Sequence, residues 1–113
     1  MKLFFSYTMH DGFISKELME KVYLCLAPSF DVFIDLIHND SENKQERVLA
    51  ELRQSHYIFV IKTPSIDKSL WVKLEMDEAA RLNIPISYID LTNRNNVIEN
   101  ADYIVQCVFD AII

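Results

Sequence analysis

The sequence predicts a three-layer α/β domain built on a parallel sheet. Two observations carry this. Apolar clusters of strand length alternate with longer segments of helical period, and one cluster, Tyr57-Ile58-Phe59-Val60-Ile61, is apolar on both faces, as a central strand covered by helices on each side must be. Size agrees: 113 residues, half of them apolar, make a single domain spanning 1–113. Such a chain buries roughly two thirds of its unfolded surface without disulfides or a structural metal.

Each element follows from local pattern. Leu3 to Tyr7 forms the first strand. Asp11 then stands as N-cap of a helix burying Ile14, Leu18, Val22 and Cys25, which Pro28 stops. Val32-Phe33-Ile34 is the second strand, and a polar loop from Leu36 to about Glu42 leads to a half-exposed helix with the short stripe Val48, Leu49 and Leu52. The central strand follows. After a loop containing Pro64, a third helix runs from near Ser69 to Leu82, and Pro85 introduces a strand through Ile86, Tyr88 and Ile89. Ala101, Ile104, Val105, Val108, Phe109 and Ile112 recur at the spacing of one buried helical stripe. Between Leu91 and Asn100 only a very short fifth strand, around Val97 and Ile98, is expected.

Composition excludes several functions. Seventeen acidic against 11 basic side chains leave a net charge of −6, with no basic stripe for nucleic acid or a membrane surface. A single glycine excludes dinucleotide fingerprints and P-loops, which need several for backbone to approach phosphate. Cys25 and Cys107 lack metal-ligand spacing and read as reduced thiols. The apolar run at Met1–Ser6 is too short for a signal peptide, and no segment reaches the length of a bilayer span, so a cytoplasmic protein is expected. A phosphoacceptor receiver is excluded because the central strand ends Val60-Ile61-Lys62, where an aspartate is needed. Ser6-Tyr7-Thr8 is only a fragment of a flavin phosphate loop.

Parallel sheets place their sites beyond the carboxyl ends of the strands, near the point where strand order reverses. Three polar loops lie there: Ser6, Tyr7, Thr8, His10 and Asp11; then Asp35, His38 and Asp40; then Lys62, Thr63, Ser65, Asp67 and Ser69. Solvation accounts for most such residues. It does not account for Glu75. Counting about 100° per residue from Trp71, the side chains Leu82, Ala79, Val72 and Met76 occupy an arc of about 140°, and Glu75 falls inside it at about 40°. Lys73, Asp77 and Arg81 take the opposite face. A carboxylate turned to the core must be paired or must line a cleft, so Glu75 is either a pocket residue or a rim residue paired with Lys44 or Arg47.

With these residues in place, the sequence resembles the Toll/interleukin-1 receptor (TIR) domain family. Phe4-Phe5-Ser6-Tyr7 with Asp11 is similar to its first signature box, and Val32-Phe33-Ile34-Asp35 to the strand and acidic residue before its second loop. Leu52 with Ser55, the central strand, and Ser69-x-Trp71-x-x-x-Glu75 with Ala79 resemble the third-strand to third-helix region; Ile84-Pro85-Ile86 resembles the next strand. The similarity runs from Lys2 to Asp90, about four fifths of the chain. The second loop, Leu36-Ile37-His38-Asn39-Asp40, departs from the Arg-Asp and Pro-Gly pattern of the family's docking loop. The Phe-Trp pair of the third box and the fourth helix are missing, so the likeness is to compact microbial members.

The resemblance implies a flavodoxin-like fold with strand order 2-1-3-4, a fifth strand at most at the edge. It implies cleavage of the nicotinamide–ribose bond of NAD, a substrate rather than a cofactor, with Glu75 as catalytic carboxylate and neither metal nor further cofactor required. Departure of nicotinamide leaves positive charge on the ribose, which a fixed carboxylate stabilises. Tyr7, Asp11, Asp35, Ser69 and Trp71 are the candidate substrate-binding residues, although Asp11 and Ser69 read equally as helix caps and Trp71 as core packing. Implied partners are other TIR domains or further copies of this chain, with a separate sensor or effector protein for control, in microbial defence or signalling. Two other readings stand beside this one: a noncatalytic TIR-type interaction module, for which Glu75 is dispensable, and a nucleoside deoxyribosyltransferase-like enzyme acting on a deoxynucleoside.

Overall fold

The computed structural model describes residues 1–38, 42, 44–93 and 97–112. Four parallel strands form one sheet in the order β2-β1-β3-β4: β1 (Lys2–Ser6), β2 (Asp31–Phe33), β3 (Tyr57–Lys62) and β4 (Ile86–Asp90). The order expected from the sequence is the order found, with β3 inside the sheet. Registers such as Phe4 opposite Ile58, and Val60 opposite Tyr88, fix which side chains share a face.

Strand alternation then sorts the core into two halves. Leu3, Phe5, Phe59 and Ile61 point to one side, where α1 (Lys16–Leu26) and α5 (Val97–Ile112) cover them with Leu18, Met19, Val22, Ile104 and Val108. Phe5 and Phe59 stack there with ring centroids 5.6 Å apart. Phe4, Ile58 and Val60 point to the other side, against Val48 and Leu52 of α3 (Lys44–Arg53) and Val72 and Ala79 of α4 (Leu70–Arg81). The strand lysines of that second face, Lys2 and Lys62, stand at the ends of their strands and are only partly buried. The polar strand position that is fully buried there is Ser6, next in phase after Phe4 at the carboxyl end of β1.

Four sequence expectations are corrected. Asp11 does not cap α1: the helix starts at Lys16, and Ser15 is its cap, its hydroxyl accepting from Leu18 N–H at 3.2 Å. Gly12, at φ +75°, turns the chain before the helix can begin. Cys25 is exposed rather than buried; the buried stripe is Leu18, Met19, Val22 and Leu26, which spans about 100°, and Cys25 falls about 20° outside it. The segment after β2 is not wholly loop. Asp35–His38 form one helical turn, α2, closed by Ile37 and His38 N–H groups donating to Ile34 C=O at 3.0 and 2.9 Å, while Ile34 N–H donates to His38 Nδ1 at 3.0 Å. Asn39, Asp40 and Ser41 of the expected loop lie outside the described residues. Finally, Val97 and Ile98 begin α5 instead of forming a strand, so β4 is the sheet edge among the described residues.

Candidate functional site

The strand order reverses between β1 and β3, and the carboxyl ends of β1 and β2 together with α4 converge beside that point. Ser69 starts α4 by accepting Val72 N–H on its hydroxyl at 3.2 Å, a cap worth about 1 kcal/mol. From that start the helical phase turns Val72, Glu75 and Ala79 inward, and all three are buried. Glu75 is only 3 % exposed. It meets the buried polar position of the adjacent strand face: the Ser6 hydroxyl donates to Glu75 Oε1 at 3.0 Å.

No cation pairs with Glu75 among the described residues, and Arg47, one of the partners considered for it, instead donates from Nε to Glu51 at 3.1 Å. Burial therefore dominates and lifts the Glu75 carboxyl to about 8, with the nearby Asp35 charge adding to the rise and the Ser6 hydrogen bond opposing it. Asp35 opens α2, directly after β2, so a second acid faces the same space.

Tyr7 joins them. The Leu36 N–H donates to its phenolic oxygen at 3.0 Å, tying the end of β1 to the turn that carries Asp35. Burial holds the phenol well above its usual range, helped by the charges of Asp35 and Glu75 and opposed by the Leu36 hydrogen bond. The hydroxyl thus stays protonated, and with its oxygen already accepting from Leu36 its own hydrogen can be offered outward.

Asp11 sits over the same sheet end with a different task. Its Oδ2 accepts from both the N–H and the hydroxyl of Ser65, each at 2.8 Å, and its Oδ1 from Phe13 N–H at 3.2 Å. These bonds outweigh the effect of burial and hold the carboxyl down at about 2. Asp11 therefore latches the loop after β1 to the loop after β3.

Of the six residues singled out in the sequence, the structure brings Glu75, Tyr7 and Asp35 into one electrostatic cluster. Asp11 is instead engaged with Ser65 in the loop after β3. Ser69 is engaged as the α4 cap and itself lines a cavity on the side of α4 toward β4, to which Glu75 does not contribute. Trp71 packs, half-buried, against the cluster formed by Phe4, Phe33, Val48 and Leu52, the core-packing role considered for it. Two partners were missing from the sequence reading, Ser6 for Glu75 and Ser65 for Asp11. Ser6 was detectable, since strand alternation puts it on the same face as Phe4; Ser65 carried no comparable signal.

Among the described residues, no group of three histidine, cysteine or acidic side chains could hold a metal ion, and no helix is long and apolar enough to cross a membrane. The chain matches no protein-family model, and no curated protein matches its sequence significantly.

Proposed function

We propose that this chain is a TIR-like NAD nucleosidase that breaks the nicotinamide–ribose bond, with Glu75 as the catalytic carboxylate. The observation that carries the reading is a glutamate buried without a cation, at the carboxyl edge of a parallel sheet and beside a second acid. A carboxylate held this way is complementary to a positive charge that arrives with a ligand. The ribosyl pyridinium of NAD brings such a charge. In the reaction the bond from ribose C1′ to the pyridinium nitrogen breaks and its electron pair leaves with neutral nicotinamide. The charge passes to an oxocarbenium ion facing Glu75. Water adds at C1′ and releases one proton, giving ADP-ribose; attack by a base nitrogen of the same molecule gives the cyclic product instead.

The resting site favours the protonated Glu75 at neutral pH, since burial raises its carboxyl to about 8. Binding of the cationic ring shifts it toward the ionised form that the transition state requires. Asp35 supplies further negative potential, and the Tyr7 hydroxyl is in position to donate to a ribose oxygen. Asp11, through Ser65, holds the covering loops in place. This reading also motivates association with other TIR domains or with further copies of the chain.

The test is release of nicotinamide from NAD by the purified protein at high concentration, with Glu75→Gln as control and matched circular dichroism spectra. We expect release by the parent and none above background by the variant. Release unaffected by the substitution removes Glu75 from the chemistry. No release from either protein, under crowding that promotes assembly, moves the assignment to a noncatalytic interaction module, and base exchange with a deoxynucleoside instead of NAD moves it to the deoxyribosyltransferase class.

A further inference from the structure

On the side of α4 that turns from Glu75 toward β4 lies a cavity of about 250 Å³. Its floor is apolar, made by Val60 of β3 and Val72 and Met76 of α4, and its rim carries Lys62, Lys73 and the ring of Tyr88. Helical phase explains the separation: from Glu75, Val72 is about 60° and Met76 about 100° around the helix, toward β4, whereas Glu75 turns toward β1. The cavity exists because β4 is the last strand of the described sheet. Tyr88, in register with Val60 and so on the same face, is left 61 % exposed at that edge.

We infer that this cavity is a second binding site, separate from the Glu75 cluster, and that it takes a single-ring aromatic anion such as an aryl carboxylate. Volume sets the size of the ligand. An apolar cavity of about 150 Å³ holds one benzene ring, whereas drug-sized ligands fill roughly 300–1,000 Å³, so this space admits one ring with a small substituent and excludes a dinucleotide. The floor supplies the apolar contact the ring needs. The lysines set the sign of the substituent.

Lys73 pairs with no acid among the described residues, and Lys62 places its ammonium 5.8 Å from the centroid of the Tyr88 ring. Two acids are near. Asp90 is engaged by the N–H and hydroxyl of Thr92, at 2.9 and 2.6 Å, and Asp67 stands on the rim, which makes a cationic ligand the competing possibility that the experiment must separate. Lys62 and Lys73 against Asp67 leave the lining one net positive charge, and Asp90 lies close enough to Lys62 to offset part of that lysine's charge, so the Lys73 ammonium is the group that chiefly favours an anion over its neutral isostere.

The experiment uses the full chain and three probes of one shape: benzoate, neutral benzamide and the benzylammonium ion, titrated at constant ionic strength and followed by two-dimensional amide NMR. Benzoate is expected to shift the amides around Val72, Lys73, Met76 and Tyr88 saturably, with a Kd of order 1 mM for about nine non-hydrogen atoms. Benzamide should bind about tenfold more weakly. The double substitution Lys62→Gln, Lys73→Gln should bring benzoate down to the level of benzamide, and Met76→Trp, which fills the cavity, should abolish binding while the remaining spectrum stays folded. Equal binding of benzoate and benzamide, tighter binding of benzylammonium, survival of binding in Met76→Trp, or no saturable shift with benzoate each overturns the assignment. Nicotinamide release from NAD reads the Glu75 cluster independently, so failure of one does not imply failure of the other.

Discussion

At the scale of single residues, Glu75 concentrates the chemistry. Its carboxyl is raised from an ordinary value of 4.5 to about 8 in the folded chain, so between those two pH values the folded state holds a proton that the unfolded state has released. Stability is fully supported below about 4.5 and declines as pH rises toward 8, by up to roughly 1.4 kcal/mol per pH unit. Glu75→Gln removes this dependence. The variant should unfold at a higher urea concentration than the parent at pH 8, with a smaller difference at pH 5; a difference of the same size at both values would show that the carboxyl titrates normally. Under the proposed function, catalysis should show the opposite slope. If the ionised form stabilises the oxocarbenium ion, kcat/KM for NAD rises with pH through about 8.

Ser6 acts on the same group. Its hydrogen bond opposes the rise of the Glu75 carboxyl, so Ser6→Ala should move the kcat/KM profile to higher pH. It should also cost about 1 kcal/mol in stability by leaving Glu75 Oε1 without its donor. A profile unchanged in Ser6→Ala, with the fold intact, would mean that the hydroxyl has no hold on the carboxylate.

At the scale of elements, the latch from Asp11 to Ser65 joins two loops separated by 54 residues in sequence. Its carboxyl is held at about 2, below the ordinary carboxylate range. The stability it supplies is therefore present above that range and is lost as pH falls toward 2. Asp11→Asn should lower stability at pH 7 by about 1–2 kcal/mol, and the Phe13 and Ser65 amides should exchange with deuterium faster, while the amides of β3 keep their protection. Uniform loss of protection would instead make Asp11 a global determinant of stability. The cap of α4 is similarly local. Ser69→Ala should cost about 1 kcal/mol.

At the scale of the whole molecule, the sheet is asymmetric, well covered at β1 and β3 and open at β4. Phe59 is fully buried and stacks on both Phe5 and Tyr57, at centroid distances of 5.6 and 4.8 Å; Tyr88, adjacent in β4 to the buried Ile89 and so on the other face, is exposed on the open flank. Phe59→Ala should therefore lose about 3–5 kcal/mol by urea unfolding, and Tyr88→Ala about 0.5 kcal/mol or less. Comparable losses at the two positions would mean that β4 is covered in solution. The Glu78 carboxylate bridges Arg53 of α3 and Arg81 of α4, but in solvent such pairs add little, and the sheet core carries the fold.

Element type, the interior place of β3 and the inward turn of Glu75 were readable in the sequence because they rest on periodicity: β3 is apolar in both phases, and Glu75 falls in the apolar arc of its own helix; the full strand order came from the family resemblance. Local signals erred where tertiary contact competes with them. Asp11 has the chemistry of a cap, but its carboxylate found stronger donors in Ser65, and Cys25 missed the buried stripe by a small angle that depends on where α1 starts. The cluster itself was decided by the tertiary structure. Ser6 and Glu75 are 69 residues apart, and Tyr7 reaches Leu36 across 29, so no window along the chain contains either pair. The sequence by itself determined that a carboxylate would turn to the core-facing side of a helix in a parallel α/β domain; only the packing of α4 and α2 over β1 decided that it is buried without a cation and which groups surround it, because the strength of an electrostatic contact depends on distance in space and on exclusion of water.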